Sequence, residues 1–184
     1  MDLLEAIATR VMRPKVGPDA PPRADIEALL EAAVRAPTHH MTQPWRFYVL
    51  AGESRQLLAK AIAAASIDAG TDPDDARADA EKRVGRAPVI IVFTCTPSTG
   101  PDVVEQEEIA SVAMAIENFL LAAHAKGLGA MLRTGPAAYH PAIREQLSLG
   151  TDESVVGFVY LGYPLGQRAV TERATAAERT TWLS

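Results

Sequence analysis

Apolar positions fall at helical spacing in some stretches of this chain and in short continuous runs in others, and the two patterns interleave. Leu3, Leu4, Ile7 and Ala8 share one face of a short helix over residues 2–9. The segment 10–18 holds two prolines and a glycine, so that helix ends in a loop carrying Arg10, Arg13 and Lys15. Ile26, Leu29, Leu30, Ala33 and Val34 predict a second helix over 23–35, stopped by Pro37. Residues 37–45 cannot stay helical past Pro37 and Pro44, and they lead into a strand at 47–50. Helices follow at 53–69 and 75–84, the second highly charged. Val89-Ile90-Ile91-Val92-Phe93 is a β-branched run of the kind buried on both faces of a sheet. Ile109, Val112, Ile116, Phe119, Leu120 and Ala123 then keep a 3.6-residue period within a long helix over 103–126. Small apolar residues between them leave little polar surface, which marks a central or interface helix. Gly127-Leu128-Gly129-Ala130 ends it and starts a strand through Met131, Leu132 and Arg133. A helix at 141–147 and a strand at 155–161 complete the pattern, and a polar tail from Gln167 offers only Trp182 and Leu183 as an anchor. About four core strands interleaved with a majority of helix predict one α/β or α+β sandwich domain over residues 1–184.

Composition narrows the class of function. Hydrophobic residues make up 48% of 184 and charged residues 22%, values of an ordinary globular protein rather than of a disordered or fibrous one. The most apolar stretch, 109–123, is interrupted by Ser111, Glu117 and Asn118 and falls short of the about 20 apolar residues of a bilayer span. The acidic N-terminus is unlike a secretory signal, and a single cysteine, Cys95, fits a reducing compartment, so the expected location is the cytoplasm. A net charge of −5 argues against broad nucleic-acid binding, which needs cations to displace counterions. Neither a G-x-G-x-x-G turn after a strand nor a P-loop is present, and no G-x-S-x-G marks a nucleophile. The four histidines lack metal-ligand spacing, so no metal is expected.

Two loops stand out. Arg10, Arg13 and Lys15 cluster after the first helix, and Arg35 closes the second just before Thr38, His39, His40, Gln43 and Trp45. Guanidinium forks suit phosphate, while amide, hydroxyl and imidazole groups reach ring heteroatoms; such a set fits an anionic, flat heteroaromatic ligand. The same residues also read as a solvated basic loop and a structural turn.

The run Arg35-Ala36-Pro37-Thr38-His39-His40-Met41-Thr42-Gln43-Pro44-Trp45, the helix 115–123, Gly127-Leu128-Gly129 and Leu161-Gly162-Tyr163-Pro164 resemble, in order, the nitroreductase family of FMN-dependent oxidoreductases. The similarity covers nearly the whole chain and is greatest to the small YdjA-like subgroup. It implies a homodimeric α+β three-layer sandwich, its central, mostly antiparallel sheet flanked by helices, with FMN at two subunit interfaces and NADH or NADPH as reductant. It implies cofactor contacts from Arg10, Val11 and Met12, from Arg35 and His39, from Gln43, Pro44 and Trp45, and from Met131, Leu132, Arg133, Thr134 and Gly135. It implies a nicotinamide-nucleotide segment at Leu121, Ala122, Ala123, His124, Ala125 and Lys126, and a small oxidised acceptor such as a nitroaromatic, quinone or enone. Where the family has R-R-S this chain has Arg10-Val11-Met12, losing a cation and a hydroxyl that Arg13 or Lys15 can replace in charge. No side chain is required as acid, base or nucleophile, because the flavin carries the chemistry. A flavin-binding protein without turnover and a cofactor-free structural dimer remain the alternatives.

Overall fold

The β-branched run at 89–93 lies inside a four-stranded sheet in the computed structural model, which describes residues 1–183. Strands β1 (Trp45–Ala51), β2 (Val89–Cys95), β3 (Gly129–Arg133) and β4 (Ser154–Gly162) are ordered β1-β2-β4-β3, and every neighbouring pair is antiparallel. Helices α1 (Leu3–Thr9), α2 (Arg23–Ala33), α3 (Arg55–Asp68), α4 (Pro73–Val84), α5 (Glu105–Ala125), α6 (Pro136–Tyr139) and α7 (Pro141–Leu147) surround it.

Strand side chains alternate between faces, and the alternation sorts the core into two halves. Ile91, Phe93, Val159 and Leu161 turn towards α2 and α5, where Phe93 meets Phe47 and Phe119 edge to face at 5.1 and 5.5 Å. Ile90, Val92, Phe158 and Tyr160 turn towards α3, α4, α6 and α7. Helices on both faces bury every residue of β2, which is why its sequence reads as a continuous apolar run rather than an alternating one. The expected α+β three-layer sandwich is the architecture found.

Differences from the sequence pattern have local causes. β1 begins at Trp45, two residues early, because the Thr96 amide donates to the Pro44 carbonyl and Trp45 already pairs with Cys95. The short helix α6 was not expected; Gly135, at φ 126°, turns the chain out of β3 and Pro136 takes the first helical position. The anticipated anchor at the C-terminus is corrected: Trp182 and Leu183 are 91% and 94% exposed and pack on nothing in their own chain. Helix α5 is long and apolar enough to cross a bilayer by length and composition alone, yet its apolar stripe packs on the sheet and it also buries Glu108 and Ser111.

Two acids in this frame titrate late. Burial, with the charges of Glu108 and Glu105, pushes the Cys95 thiol up to about 11; burial and the Glu153 carboxylate push the Tyr48 phenol up to about 12. The unfolded chain therefore loses these protons first, so stability is full below the ordinary thiol value near 9.0 and falls as pH rises towards about 11. Thermal melts across that range should show the decline. Cys95→Ala should flatten it by about 2 kcal/mol, and an unchanged slope would contradict the assignment.

Candidate functional site

The basic loop after α1 is seated on two glycines. Gly129 and Gly162 pair across β3 and β4, and a Cβ on Gly162 would stand 2.9 Å from Val16 Cγ2 and 3.0 Å from Pro88 Cδ. A Cβ on Gly129 would meet Val16 and Pro164 at 3.0 and 3.1 Å. Without side chains at both positions, Val16 bridges to Pro164, the Arg13 amide donates to the Ala130 carbonyl at 2.8 Å, and the Gly17 amide donates to the Tyr163 carbonyl at 2.8 Å. The G-L-G and G-Y-P motifs thus hold the loop that presents Arg10.

Arg10 opens onto a cleft of about 570 Å³ that also contains Val11, Met12, Glu117, Arg168 and Arg173. Its Nε donates to Glu117 Oε1 at 3.0 Å, which fixes the side chain against α5. The Arg168 guanidinium donates to the Met12 carbonyl at 2.7 Å and the Arg13 guanidinium to the Gly166 carbonyl at 3.4 Å. The tail thus places two further cations, Arg168 and Arg173, in the cleft that Arg10 lines. The sequence signal for these two was weak: arginines in a polar tail, at no fixed spacing from Arg10. His124 accepts or donates at 2.9 Å to the Thr9 hydroxyl. Its burial, with Arg13 and Arg10 nearby, holds the imidazole below its usual pKa, so the ring stays neutral beside the arginines.

Strand β3 is an edge strand of the sheet, and its Ala130 shares a small crevice with Arg10 and Val11. The Ala130 carbonyl is taken by Arg13, so by the alternation of an antiparallel ladder the backbone N–H and C=O of Leu132 also face the open edge. Side chains of Ala130 and Leu132 pack on the α5 side, while Met131 and Arg133 point to the opposite face, where Arg133 lies over the Tyr160 ring at 5.5 Å. Thr134 is exposed and Gly135 needs its positive φ. In the segment 121–126, Ala123 is core and Lys126 pairs with Asp25 at 2.8 Å, leaving Leu121, Ala122 and His124 half-buried.

The second loop is held at the other end of α5. His40, Met41 and Gln43 have φ of 47°, 55° and 51°, a run of left-handed residues without glycine. A fully buried carboxylate, Glu108, accepts from the Thr42 hydroxyl at 2.6 Å and the Ser98 amide at 3.2 Å. Thr38 meets Thr42 at 3.1 Å and accepts from the Gln43 amide at 3.0 Å. Glu108, Thr38 and Thr42 thereby fix a conformation that the loop would not hold alone. Arg35, His39 and Gln43 are exposed on it, His39 standing 3.7 Å from Glu107; Pro44 and Trp45 are buried, with the Trp45 ring in the core.

One chain does not bring its two loops together. Arg10 lies against Glu117 and the Arg35–His39 loop against Glu107 and Glu108, about 14 Å apart along the axis of α5 at ~1.5 Å per residue.

The family model described as the nitroreductase family matches residues 8–163. YdjA of Escherichia coli (strain K12), named as an NAD(P)H nitroreductase, is 33% identical over 164 residues, covering 89% of either chain. The crystal structure of a nitroreductase-like family protein from Bacillus cereus superposes with a TM-score of 0.88 at 23% identity, over 100% of this chain and 96% of that one. A nitroreductase from Desulfovibrio desulfuricans, solved in complex with FMN, superposes with a TM-score of 0.73 at 26% identity, over 96% and 94% of the two chains.

Proposed function

The chain belongs to the nitroreductase family, and we propose that it is an FMN-dependent oxidoreductase that passes hydride from NADH or NADPH to a small oxidised acceptor. The observation that carries this reading is the cleft lined by Arg10, Arg168 and Arg173, whose Arg10 and Val11 also meet Ala130 of the edge strand β3 in a small crevice. Three guanidiniums against the single carboxylate of Glu117 fit a phosphate dianion, and the free backbone groups of the edge fit the polar rim of a flat ring. The donor set therefore fits FMN. A flavin relative at 26% identity and NAD(P)H in the name of a relative at 33% support the choice of cofactor and reductant.

When bound, FMN supplies the redox chemistry, taking hydride at N5 and giving it to the acceptor. The protein's tasks are binding and orientation. Arg10 and Arg168 hold the phosphate, Val11 and Met12 line its approach, and the segment Met131 to Gly135 lies along one rim of the ring, where Leu132 presents its free backbone N–H and C=O. In this reading Arg35, His39 and Gln43 come from a second copy of the chain, with Pro44 and Trp45 as the buried root of that loop, a placement supported by the separation of the two loops along α5 within one copy. The exposed apolar residues Leu3, Leu4 and Ile7 on α1 and Met114 on α5 support pairing of two copies along these helices. The segment 121–126 lies beside the reductant, which excludes Ala123 and Lys126 as direct contacts unless Asp25 releases the lysine. We place this one-domain enzyme in the cytoplasm, where nicotinamide nucleotides are kept reduced. The acceptor is a nitroaromatic, quinone or enone that alternates with the reductant in one pocket.

The test is the absorbance spectrum of freshly purified protein, with FMN added back, followed by NAD(P)H oxidation with each acceptor class and the mass in solution by light scattering. Bound flavin, turnover and a dimer are expected. Yellow protein without turnover would leave a binding protein, a colourless protein whose melting point ignores FMN would refute the reading, and a flavin-binding monomer would refute the shared site.

A further inference from the structure

A second basic cleft, of about 340 Å³, lies on the other face of β3 from Arg10. Arg83 at the end of α4, Arg86 just beyond it and Arg133 from β3 line it, together with Asp79, Thr134 and Tyr160. Arg83 is paired with Asp79 at 2.6 Å. Arg133 and Arg86 make no side-chain hydrogen bond or ion pair among the described residues; Arg133 rests its guanidinium over the Tyr160 ring at 5.5 Å. Tyr160 is itself 94% buried by its 6% exposure, and its hydroxyl likewise has no hydrogen-bond partner among the described residues. No fully buried side-chain oxygen lacks a partner among the described residues, so that hydroxyl reaches open space, and Tyr160 lines this cleft. All three arginines line the same cleft as this phenol; burial holds the Tyr160 hydroxyl above its usual pKa, and the nearby charges of Arg133, Arg86 and Arg83 oppose that shift.

We propose that this cleft binds the phosphoryl group of a small organic phosphate. Three guanidiniums against one carboxylate leave about two positive charges uncompensated in a chain whose net charge is −5, a local surplus that matches a dianion better than a monocarboxylate. The forks of Arg86 and Arg133 match tetrahedral oxygens, and the Tyr160 and Thr134 hydroxyls add neutral donors. The volume exceeds that of inorganic phosphate, so the group arrives attached to something larger. The site stands apart from the flavin reading, since Arg133 turns its guanidinium away from the Arg10 cleft. The bound phosphoryl belongs either to the 2′-phosphate of NADPH or to a separate phosphorylated metabolite.

The experiment uses FMN-saturated protein, in which the Arg10 cleft is filled, titrated with sodium pyrophosphate at constant ionic strength by calorimetry and thermal melting. If the protein takes up no flavin, Arg10→Ala serves as the background instead, so the two readings fail separately. Saturable binding is expected, weakened about tenfold or more in Arg86→Gln and in Arg83→Gln and only partly restored by Arg86→Lys, which keeps the charge but not the fork. Arg86 is exposed and its side chain makes no hydrogen bond or ion pair among the described residues, so its replacement leaves the fold intact. Absence of saturable binding, or equal binding by wild type and both glutamine variants, would overturn the proposal. A preference for NADPH over NADH that Arg86→Gln abolishes assigns the phosphoryl to the reductant; pyrophosphate binding without any such preference assigns it to a metabolite.

Discussion

Gly162→Ala should dislodge the basic loop and cost flavin binding without touching a single residue that meets the flavin. The added Cβ would stand 2.9 Å from Val16 Cγ2 and 3.0 Å from Val16 Cβ and Pro88 Cδ. Val16 Cβ cannot rotate away and the Pro88 ring is rigid and buried, so the loop or the strand must move. Overpacking of this kind typically costs about 1 to 3 kcal/mol, and here the loop that bears Arg10 is the part free to shift. Thermal melting should show the loss of stability and a fluorescence titration the loss of FMN affinity. Gly17→Ala is the control: its Cβ would meet nothing nearer than 3.8 Å, and both measurements should stay close to wild type. If Gly162→Ala behaves like Gly17→Ala, the glycine pair does not seat the loop.

Arg10→Ala should weaken FMN retention directly. A lost charged hydrogen bond costs about 1.5 to 3 kcal/mol, or ~10 to 150-fold in affinity. Arg168→Ala should weaken retention as well, because its guanidinium both holds the Met12 carbonyl and brings charge into the cleft. The two residues share one cleft, so the double variant should fall short of the sum. Flavin retained after purification and the dissociation constant on add-back are the readouts. Unchanged affinity in both single variants would contradict the phosphate site.

Position along the chain explains what the sequence made legible. Strand β2 and helix α5 were plain because their patterns are local: five consecutive β-branched or aromatic residues, and apolar positions at 3.6-residue spacing. Arg10 and the Arg35–Trp45 run were legible through resemblance, as contiguous motifs. Arg168 and Arg173 were not, because nothing in local sequence says that a tail more than 150 residues away folds back on Met12. Glu108 was missed for a related reason. In the sequence it is one of three acids in a first helical turn, where acids ordinarily answer the helix dipole. Only packing shows that it is buried and fixes the strained loop through Thr42.

The sequence by itself determined the α+β class, the order of helices and strands, and the two loops with their phosphate-seeking residue types, because short-range periodicity and turn chemistry specify these. Tertiary structure decided which face each strand residue takes, that Arg133 parts from Arg10, and that the two loops lie a helix length apart. Those facts depend on strand register and on long-range packing, where one step along a strand moves a guanidinium from one side of the sheet to the other.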